Sequence, residues 1–368
     1  MRIQAELTPL LLKASPEGWA KFTCQDGTIV VELDKALYGL KDSGLLFHRD
    51  LGATLLQHGY ETSDIDPCIF KCFREDRESI ILIYVDDLVL ITRDEAERNL
   101  IISVLGDRYG ELSVQTGNAL SILGVNVIRD TQGIQVNCSG YIDKVYAKFE
   151  PKTGCTKTGS SFNPLLKYEE SQDVDQTQYR SLVMSLMYIA KRCRPDVLYT
   201  VSTLSTHSNA PKLEHFEAAR SALEYLHQSK TQGLRYEDTS EAPSLSIYAD
   251  ASFAPHLDGK SHTGILCIYA GGVVLAKSSK QKTVSKSTAD AELSACSEAI
   301  DCGFLIRDIL KSIGAVVPNP IPVFQDNQAS ISTMTKGSIG KRHRATVAKL
   351  HHIRENIRSE EHTSEPPV

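Results

Sequence analysis

The chain has 368 residues, of which 41% are hydrophobic, and its 40 basic and 46 acidic residues give a formal net charge of −6. This length predicts two or three domains with sizeable cores, and the composition is that of an ordinary globular protein. The net acidity argues against a dedicated, strongly basic nucleic-acid-binding domain.

Cysteine spacing and apolar run length indicate the compartment. The nine cysteines are scattered from Cys24 to Cys302 without a Cys-x-x-Cys pair, which predicts reduced thiols and no zinc site. No signal peptide opens the chain and no apolar run approaches about 18 residues, so no membrane partner is expected. These features predict a soluble, intracellular protein of the cytoplasm or nucleus.

Apolar periodicity predicts a mixture of helices and strands in the first 150 residues. Helices are expected at 7–12, 45–56, 94–105 and 141–149, and strands at 28–33, 123–127 and 133–137. Between them, residues 80–92 form two apolar runs of strand length that flank Asp86 and Asp87. The runs predict a hairpin buried on both faces, with the two acids at its turn.

The paired acids of this hairpin suggest a metal site. Adjacent carboxylates beside a buried hairpin repel each other and lose hydration, and a divalent cation is the usual compensation because hard cations prefer carboxylate oxygen. An ordinary Asp-Asp turn is the alternative for any isolated pair. The flanking string Tyr-Val-Asp-Asp between two apolar strands makes the metal site the more specific interpretation.

The second half of the chain has a different pattern. After an irregular stretch at 151–175, three amphipathic helices are expected at 179–190, 195–204 and 211–227, and a polar segment at 238–243 is the best domain boundary. Strands follow at 245–249, 263–269, 272–277 and 321–325, with a long helix at 288–313 capped by Ser287, a short helix, and a last helix at 347–357. This order predicts a small α/β unit.

Three acids of that unit stand at predicted element ends. Asp250 closes a strand, Glu292 lies near the start of the long helix, and Asp326 closes the next strand. Strand ends of one sheet and a helix packed across it can bring such side chains together. Grouped carboxylates hold two metal ions that stabilise the attacking and leaving oxygens of a phosphodiester. Each acid taken singly is a common cap or solvated residue.

Basic residues are clustered locally despite the net acidity. One cluster precedes the long helix, and the other runs from before the last helix into its first turn. Their members are Lys277, Lys280, Lys282 and Lys286, and Lys336, Lys341, Arg342, His343, Arg344 and Lys349. Phosphate neutralisation and a solvated charged face explain them equally well.

Four strings of the first half follow a fixed order: Leu-Tyr-Gly-Leu-Lys at 37–41, His-Gly-Tyr at 58–60, Asp-Pro-Cys at 66–68 and Tyr-Val-Asp-Asp at 84–87. This order resembles the reverse transcriptase of Ty1/copia retrotransposons. The resemblance implies that Asp86 and Asp87 are catalytic metal ligands. It also implies that Gly39 permits close backbone approach to the primer-template and that Lys41 contacts phosphate. A plain turn is the structural alternative for Gly39.

The second half resembles the ribonuclease H domain of the same elements. The matching strings are the strand-end acid at 250, Ser-Thr-Ala-Asp-Ala-Glu at 287–292 and Asp-Asn at 326–327. The resemblance implies that Asp250, Glu292 and Asp326 are catalytic ligands of Mg²⁺ or Mn²⁺. It further implies an RNA template, a DNA primer, an RNA–DNA hybrid and the remainder of a polyprotein as partners. Lys280, Lys282, Lys341 and Arg342 are the expected nucleic-acid contacts.

The expected fold class is therefore multidomain, α/β and α+β. A partial polymerase palm with the Tyr-Val-Asp-Asp hairpin is expected at 1–150, and a helical thumb and connection at 151–237. A ribonuclease H-like α/β domain is expected at 244–357, and a disordered tail at 358–368.

Two acids that the family uses have no counterpart here. The polymerase acid expected upstream of 37–41 is missing, since residues 1–25 contain no aspartate, and Val347 stands where the family places a fourth ribonuclease H acid. An N-terminally truncated polymerase, inactive alone, with a ribonuclease H domain is thus expected. A non-catalytic nucleic-acid-binding remnant is the alternative. An unrelated metal-dependent phosphohydrolase explains the acids but not the ordered strings.

Overall fold

The computed structural model describes residues 1–32, 37, 39–74, 77–149, 172–237, 243–335 and 347–361. Most of the predicted linker at 238–243, together with Lys341 and Arg342, lies outside the described residues. The chain divides into two compact units, Met1–Gly110 and Glu111–Val368.

The first unit combines helices with an antiparallel sheet. Its helices are α1 (Thr8–Ala14), α2 (Pro16–Ala20), α3 (Ser43–Gln57) and α4 (Glu95–Tyr109). Strands β1 (Arg2–Ile3) and β2 (Ile29–Val30) pair with each other. Strands β3 (Glu61–Thr62), β4 (Ile69–Arg74), β5 (Arg77–Tyr84) and β6 (Asp87–Thr92) form a four-stranded sheet in that order. The predicted helix at 45–56 and the predicted hairpin are therefore present.

The core of the first unit lies between α3, α4 and this sheet. Gly52 of α3 permits close packing, since a Cβ there would lie 3.2 Å from the Phe70 ring on β4. The buried Tyr60 hydroxyl donates to Glu97 of α4 at 2.7 Å and also bonds with Ser79 of β5. Burial raises the pKa of the Tyr60 hydroxyl, so it acts as a neutral donor.

The hairpin is less buried than the sequence suggested. Ile81 and Ile83 of β5 are buried, but β6 has no fully buried residue, and Ile91 is 52% exposed. The prediction of a hairpin buried on both faces was therefore wrong for β6. The reason is its place at the edge of the four-stranded sheet, where only β5 flanks it.

The second unit begins with a sheet and a helical layer. Strands β7 (Ala119–Ile122), β8 (Val125–Asp130), β9 (Gly133–Asn137) and β10 (Leu234–Glu237) form an antiparallel sheet in the order β10-β9-β8-β7. The helices are α5 (Ser139–Phe149), α6 (Gln176–Arg192), α7 (Leu198–Ser205) and α8 (Leu213–Gln228). They share one apolar cluster built around residues such as Ile142, Leu186, Leu204 and Leu223.

Strand β10 links the helical region of the second unit to the strands that precede it in the chain. It pairs with β9, with Leu234 opposite Val136, so the helical region at 176–228 and the strands at 119–137 share one structure. Both regions belong to the second compact unit. Leu123 and Gly124, predicted as strand, form the β7–β8 turn, with positive φ at both residues.

A second sheet of this unit carries the acids. Strands β11 (Leu245–Ser252), β12 (His262–Tyr269), β13 (Gly272–Lys280) and β14 (Val323–Phe324) lie in the order β13-β12-β11-β14, and only β14 is parallel to its neighbour. The helices are α9 (Thr288–Ser312), α10 (Gln328–Thr335) and α11 (Val347–Glu361). Helix α11 extends beyond the predicted domain end at 357.

Helix α9 begins directly after Ser287, the residue that the sequence predicts as its N-cap. The Ser287 side chain accepts a hydrogen bond from the Asp290 amide at 3.2 Å, as the predicted N-cap requires. Gly303 lets α9 approach the sheet, because a Cβ there would come within 2.0 Å of Ile247 on β11. The resulting close contact fixes the register of α9 across β11. The overall architecture is a mixed α/β fold, as predicted.

Candidate metal centre

Asp250 reaches the solvent-facing side of β11. Along this strand Leu245, Ile247 and Ala249 are buried, whereas Tyr248 and Asp250 are exposed. This alternation follows from the two-residue period of a strand packed on one face. Asp250 was predicted to close this strand. Strand β11 continues to Ser252, so Asp250 lies inside the strand.

Asp326 comes close to Asp250 through strand pairing. Strand β14 runs parallel to β11, with Val323 opposite Ile247 and Phe324 opposite Tyr248. Asp326 follows two residues after Phe324, as Asp250 follows two residues after Tyr248. Equal offsets from a paired position place the two acids side by side at the end of the ladder.

Glu292 approaches the same point from helix α9. Its side chain is buried, with only 3% exposure, and it accepts a hydrogen bond from the Gln325 side-chain amide at 3.0 Å. Burial raises the pKa of the Glu292 carboxyl, and the charges of Asp250 and Asp326 raise it further, while the Gln325 hydrogen bond opposes them. A cation at this point would restore the charged form.

The three carboxylates converge, as predicted. One oxygen each from Asp250, Glu292 and Asp326 lies within 4.8 Å of the others. Within the described ranges this is the only group of three or more potential metal-ligating acids, histidines or cysteines. The donor set fits a hard divalent cation such as Mg²⁺ or Mn²⁺, because all three donors are carboxylate oxygens. The buried Oε1 of Gln325 has no hydrogen-bond partner among the described residues, which adds an oxygen beside the cluster.

A groove of about 630 Å³ lies beside the acids. Asp250 and Asp326 line it together with the stacked rings of Tyr248 and Phe324, whose centroids are 4.8 Å apart. Tyr199, from helix α7, also lines this groove. The cluster of three carboxylates is therefore open to a ligand larger than a water molecule.

The other predicted acid group, Asp86 and Asp87, lies on the β5–β6 hairpin. Strand pairing joins Tyr84 to Asp87, so Val85 and Asp86 form the two-residue turn, with a positive φ of 56° at Val85. Asp86 and Asp87 are both exposed. In the part of the chain that the structure describes, no third ligand residue joins them to form a metal-binding group.

The predicted nucleic-acid contacts differ in their surroundings. Gly39 has a positive φ of 92° and open space around the position of a Cβ, and Lys41 follows it as an exposed residue before α3. Lys280 pairs with Asp258 at 2.8 Å, whereas Lys282 is exposed. The positive φ and open surroundings of Gly39 fit both a turn and the close approach of a ligand, and Lys280 has an ion-pair partner that Lys282 is not shown to have, so the contacts stay predictions.

Helix α11 places Val347 at its first residue. Leu350 and Ile353 are buried in the cluster shared with α9, and the Lys349 ammonium donates to the Ser294 hydroxyl of α9 at 2.7 Å. Glu355 on the same helix is exposed. These contacts fix the register of α11 along α9.

Gln325 is the site residue that sequence reasoning missed. It directly precedes Asp326, and alternation places such a residue on the opposite side of the strand, toward helix α9. A polar residue at a helix-facing position was the available signal. Its contact with Glu292 is tertiary, so the sequence alone did not identify the partner.

Residues 3–164 match the family described as Reverse transcriptase (RNA-dependent DNA polymerase). The Retrovirus-related Pol polyprotein from transposon TNT 1-94 of Nicotiana tabacum is 29% identical over 97% of this chain and 27% of its own length. The Pol polyprotein from transposon RE1 of Arabidopsis thaliana is 28% identical over 97% of this chain. The chain spans about a quarter of the length of these two relatives.

A putative transposon Ty5-1 protein of Saccharomyces cerevisiae is 29% identical over 74% of this chain and 89% of its own length. Among solved structures, a foamy viral protease-reverse transcriptase in complex with RNA/DNA hybrid covers 90% of this chain and 39% of its own, at 14% identity and a TM-score of 0.45. Among the described helices, none has the length and apolar character that a membrane span needs.

The sheets, the Tyr-Val-Asp-Asp hairpin and the family match over residues 3–164 make this chain similar to reverse transcriptases of retroelement type. Its relatives narrow the similarity and support a fragment of a Ty1/copia retrotransposon reverse transcriptase.

Proposed function

We propose that the part of the second unit built from β11–β14 and α9–α11 hydrolyses the RNA strand of an RNA–DNA hybrid. Asp250, Glu292 and Asp326 are its catalytic, metal-binding carboxylates. The convergence of these three side chains within 4.8 Å carries the proposal. An accidental surface cluster would not bury one member against a dedicated hydrogen-bond donor, as Glu292 is buried against Gln325.

The roles of the three acids follow from their settings. Asp250 and Asp326, exposed beside the groove, supply ligand oxygens from two paired strands. Glu292 supplies the third from the helix and is kept in place by Gln325. A bound divalent cation, Mg²⁺ or Mn²⁺, would supply stabilisation of negative charge on phosphodiester oxygens and a more acidic water. Because the three carboxylates are carried by two strands and a helix, the position of the cation relative to the charged phosphodiester oxygens would be fixed before the reaction.

For the first unit, we propose a polymerase palm that does not polymerise DNA by itself. Asp86 and Asp87 stand on the hairpin that the family uses, yet no third carboxylate joins them in the described residues. A two-metal centre needs more carboxylate ligands than an adjacent pair provides. The RNA template and the DNA primer are its proposed partners, together with the remainder of a polyprotein, which the relatives' names describe.

A non-catalytic nucleic-acid-binding role is the second candidate. It is favoured by the acid-free stretch between Asp326 and Glu355, which leaves Val347 where a further ligand is expected. A centre with three carboxylates binds one cation more readily than two. Under this alternative the chain holds a hybrid without cutting it.

Cleavage of a fluorescent RNA–DNA hybrid by the full chain tests the proposal. Asp250→Asn should abolish cleavage, and Glu217→Gln, at an exposed ion pair on α8, should leave it unchanged. Mn²⁺ should support faster cleavage than Mg²⁺, because Mg²⁺ demands stricter octahedral geometry. Hybrid binding without cleavage in either metal would instead establish the non-catalytic role.

A further inference from the structure

Two buried cysteines meet in the second unit, away from the acids. Cys138 follows strand β9 directly and Cys193 is the residue after helix α6. Both side chains are buried, with 0% and 1% exposure. Their sulfur atoms lie 2.6 Å apart. This separation is shorter than an ordinary packing contact between two sulfur atoms and approaches the length of a disulfide bond, about 2.05 Å.

We propose that Cys138 and Cys193 are a redox modification site that closes to a disulfide when the chain meets a low-molecular-weight disulfide such as oxidised glutathione. The site is independent of the proposed ribonuclease activity. Little movement separates the two thiols from a bond, since roughly 0.5 Å of approach is needed. The bond would link the end of β9 to the end of α6.

The helix ends assign the roles of the two thiols. Cys138 directly precedes helix α5, and its carbonyl accepts a hydrogen bond from the Ile142 amide at 2.9 Å, whereas Cys193 stands at the C-terminal end of α6. A helix N-terminus favours a thiolate and a helix C-terminus disfavours it, so Cys138 is the attacking sulfur and Cys193 the resolving one. The contact with Cys193 and the nearby Arg192 charge also lower the pKa of Cys138 against the effect of burial.

The exchange balances in two steps. The Cys138 thiolate attacks one sulfur of oxidised glutathione, forms a mixed disulfide and expels one glutathione thiolate, which takes up the proton lost from Cys138. Cys193 then gives up its proton and attacks the Cys138 sulfur, which expels the second glutathione. Two protein thiols are oxidised and one glutathione disulfide is reduced to two thiols.

Access to the sulfurs requires only local opening. Cys193 is the C-terminal capping residue of α6, where its amide donates to the Ile189 carbonyl at 3.1 Å. Helix ends open more readily than helix centres. The crosslink would then close a loop of 55 residues and restrict the unfolded chain, which stabilises the fold.

The test treats the full chain with oxidised glutathione in a Cys24→Ser background, which removes an exposed thiol. Peptide mapping should find Cys138 linked to Cys193, and the melting temperature should rise by about 5–10 °C, reversibly with dithiothreitol. Cys193→Ser should lose both effects. Cys267→Ser, which removes a buried thiol of the other sheet, should retain both.

Three results would overturn the inference. One is a mapped digest in which Cys138 and Cys193 both stay reduced while other thiols of the chain react. Another is a Cys138–glutathione adduct that persists without transfer to Cys193, because the resolving role would then be absent. A Cys138→Ser chain that still gains reversible thermal stability would contradict it as well.

Discussion

The side-chain amide of Gln325 donates a hydrogen bond to the buried carboxylate of Glu292 at 3.0 Å. The contact joins the end of strand β14 to helix α9 at the point where Asp250 and Asp326 also arrive. A carboxylate that is buried and flanked by two other acids needs such a donor to stay charged and correctly oriented. Gln325 is thus the residue on which the geometry of the centre depends most directly.

Gln325→Leu should weaken Mn²⁺ binding by roughly 10–100-fold, the range typical of lost supporting hydrogen bonds around metal ligands. The leucine keeps the volume but removes the donor, so the pKa of Glu292 should rise further. Isothermal titration of the full chain with Mn²⁺ measures the effect. Gln328→Leu, at an exposed glutamine at the start of α10, is the matched control. Equal Mn²⁺ affinity in the two variants would show that Gln325 does not support the centre.

Val347→Asp should raise the rate of hybrid cleavage at least tenfold. A further carboxylate would supply one electrostatic contribution, whose loss commonly costs on the order of 10²–10³ in rate. Ala348→Asp should help less, because adjacent residues of α11 project in different directions. Initial rates on the same hybrid compare the three chains. If Val347→Asp and the wild type cleave equally fast, the fourth acid is dispensable or supplied elsewhere.

Acidification should destabilise the second unit through a buried histidine pair. His262 bonds with His256 at 2.9 Å and with the Ser278 hydroxyl at 2.7 Å. Burial, and to a smaller extent the neighbouring His256, lower the pKa of His262 to about 4. A depressed pKa means that the neutral ring is favoured in the folded state, so this stability is present above about pH 6.5 and is lost as the pH falls toward 4.

The expected loss from His262 between pH 7 and pH 5 is about 2 kcal/mol, as an order of magnitude. Urea denaturation at the two pH values measures it. His262→Asn should show a smaller pH dependence, since it removes one titrating ring. His351→Asn, at an exposed histidine of α11, should retain the full dependence. A wild-type chain equally stable at both pH values would rule out the effect.

The chain by itself should not extend a DNA primer on an RNA template. Asp86 and Asp87 have no third carboxylate beside them in the described residues, and two metal ions need more ligands than this pair supplies. Primer-extension gels with Mg²⁺ and with Mn²⁺ provide the measurement, and Asp86→Asn gives the background. Extension by the wild type that Asp86→Asn abolishes would show a working polymerase centre.

Local signals in the sequence determined the elements that carry the acids. The apolar runs around Asp86 and Asp87 gave a hairpin because strand formation and a two-residue turn depend on neighbouring residues. Ser287 marked the start of α9 because an N-cap acts within one helical turn. The convergence of Asp250, Glu292 and Asp326 was predictable because parallel strands and a crossing helix bring such positions together.

Only the tertiary structure decided which distant segments meet. Strand β10 pairs with β9 across about a hundred residues, and neither strand has a residue pattern that specifies its partner. The contact of Gln325 with Glu292 and that of Cys138 with Cys193 likewise depend on how helices pack against sheets. Periodicity and capping are properties of a short segment, whereas such contacts depend on the shapes of two folded surfaces. For that reason the acids could be foreseen from the sequence, but the residues that support them could not.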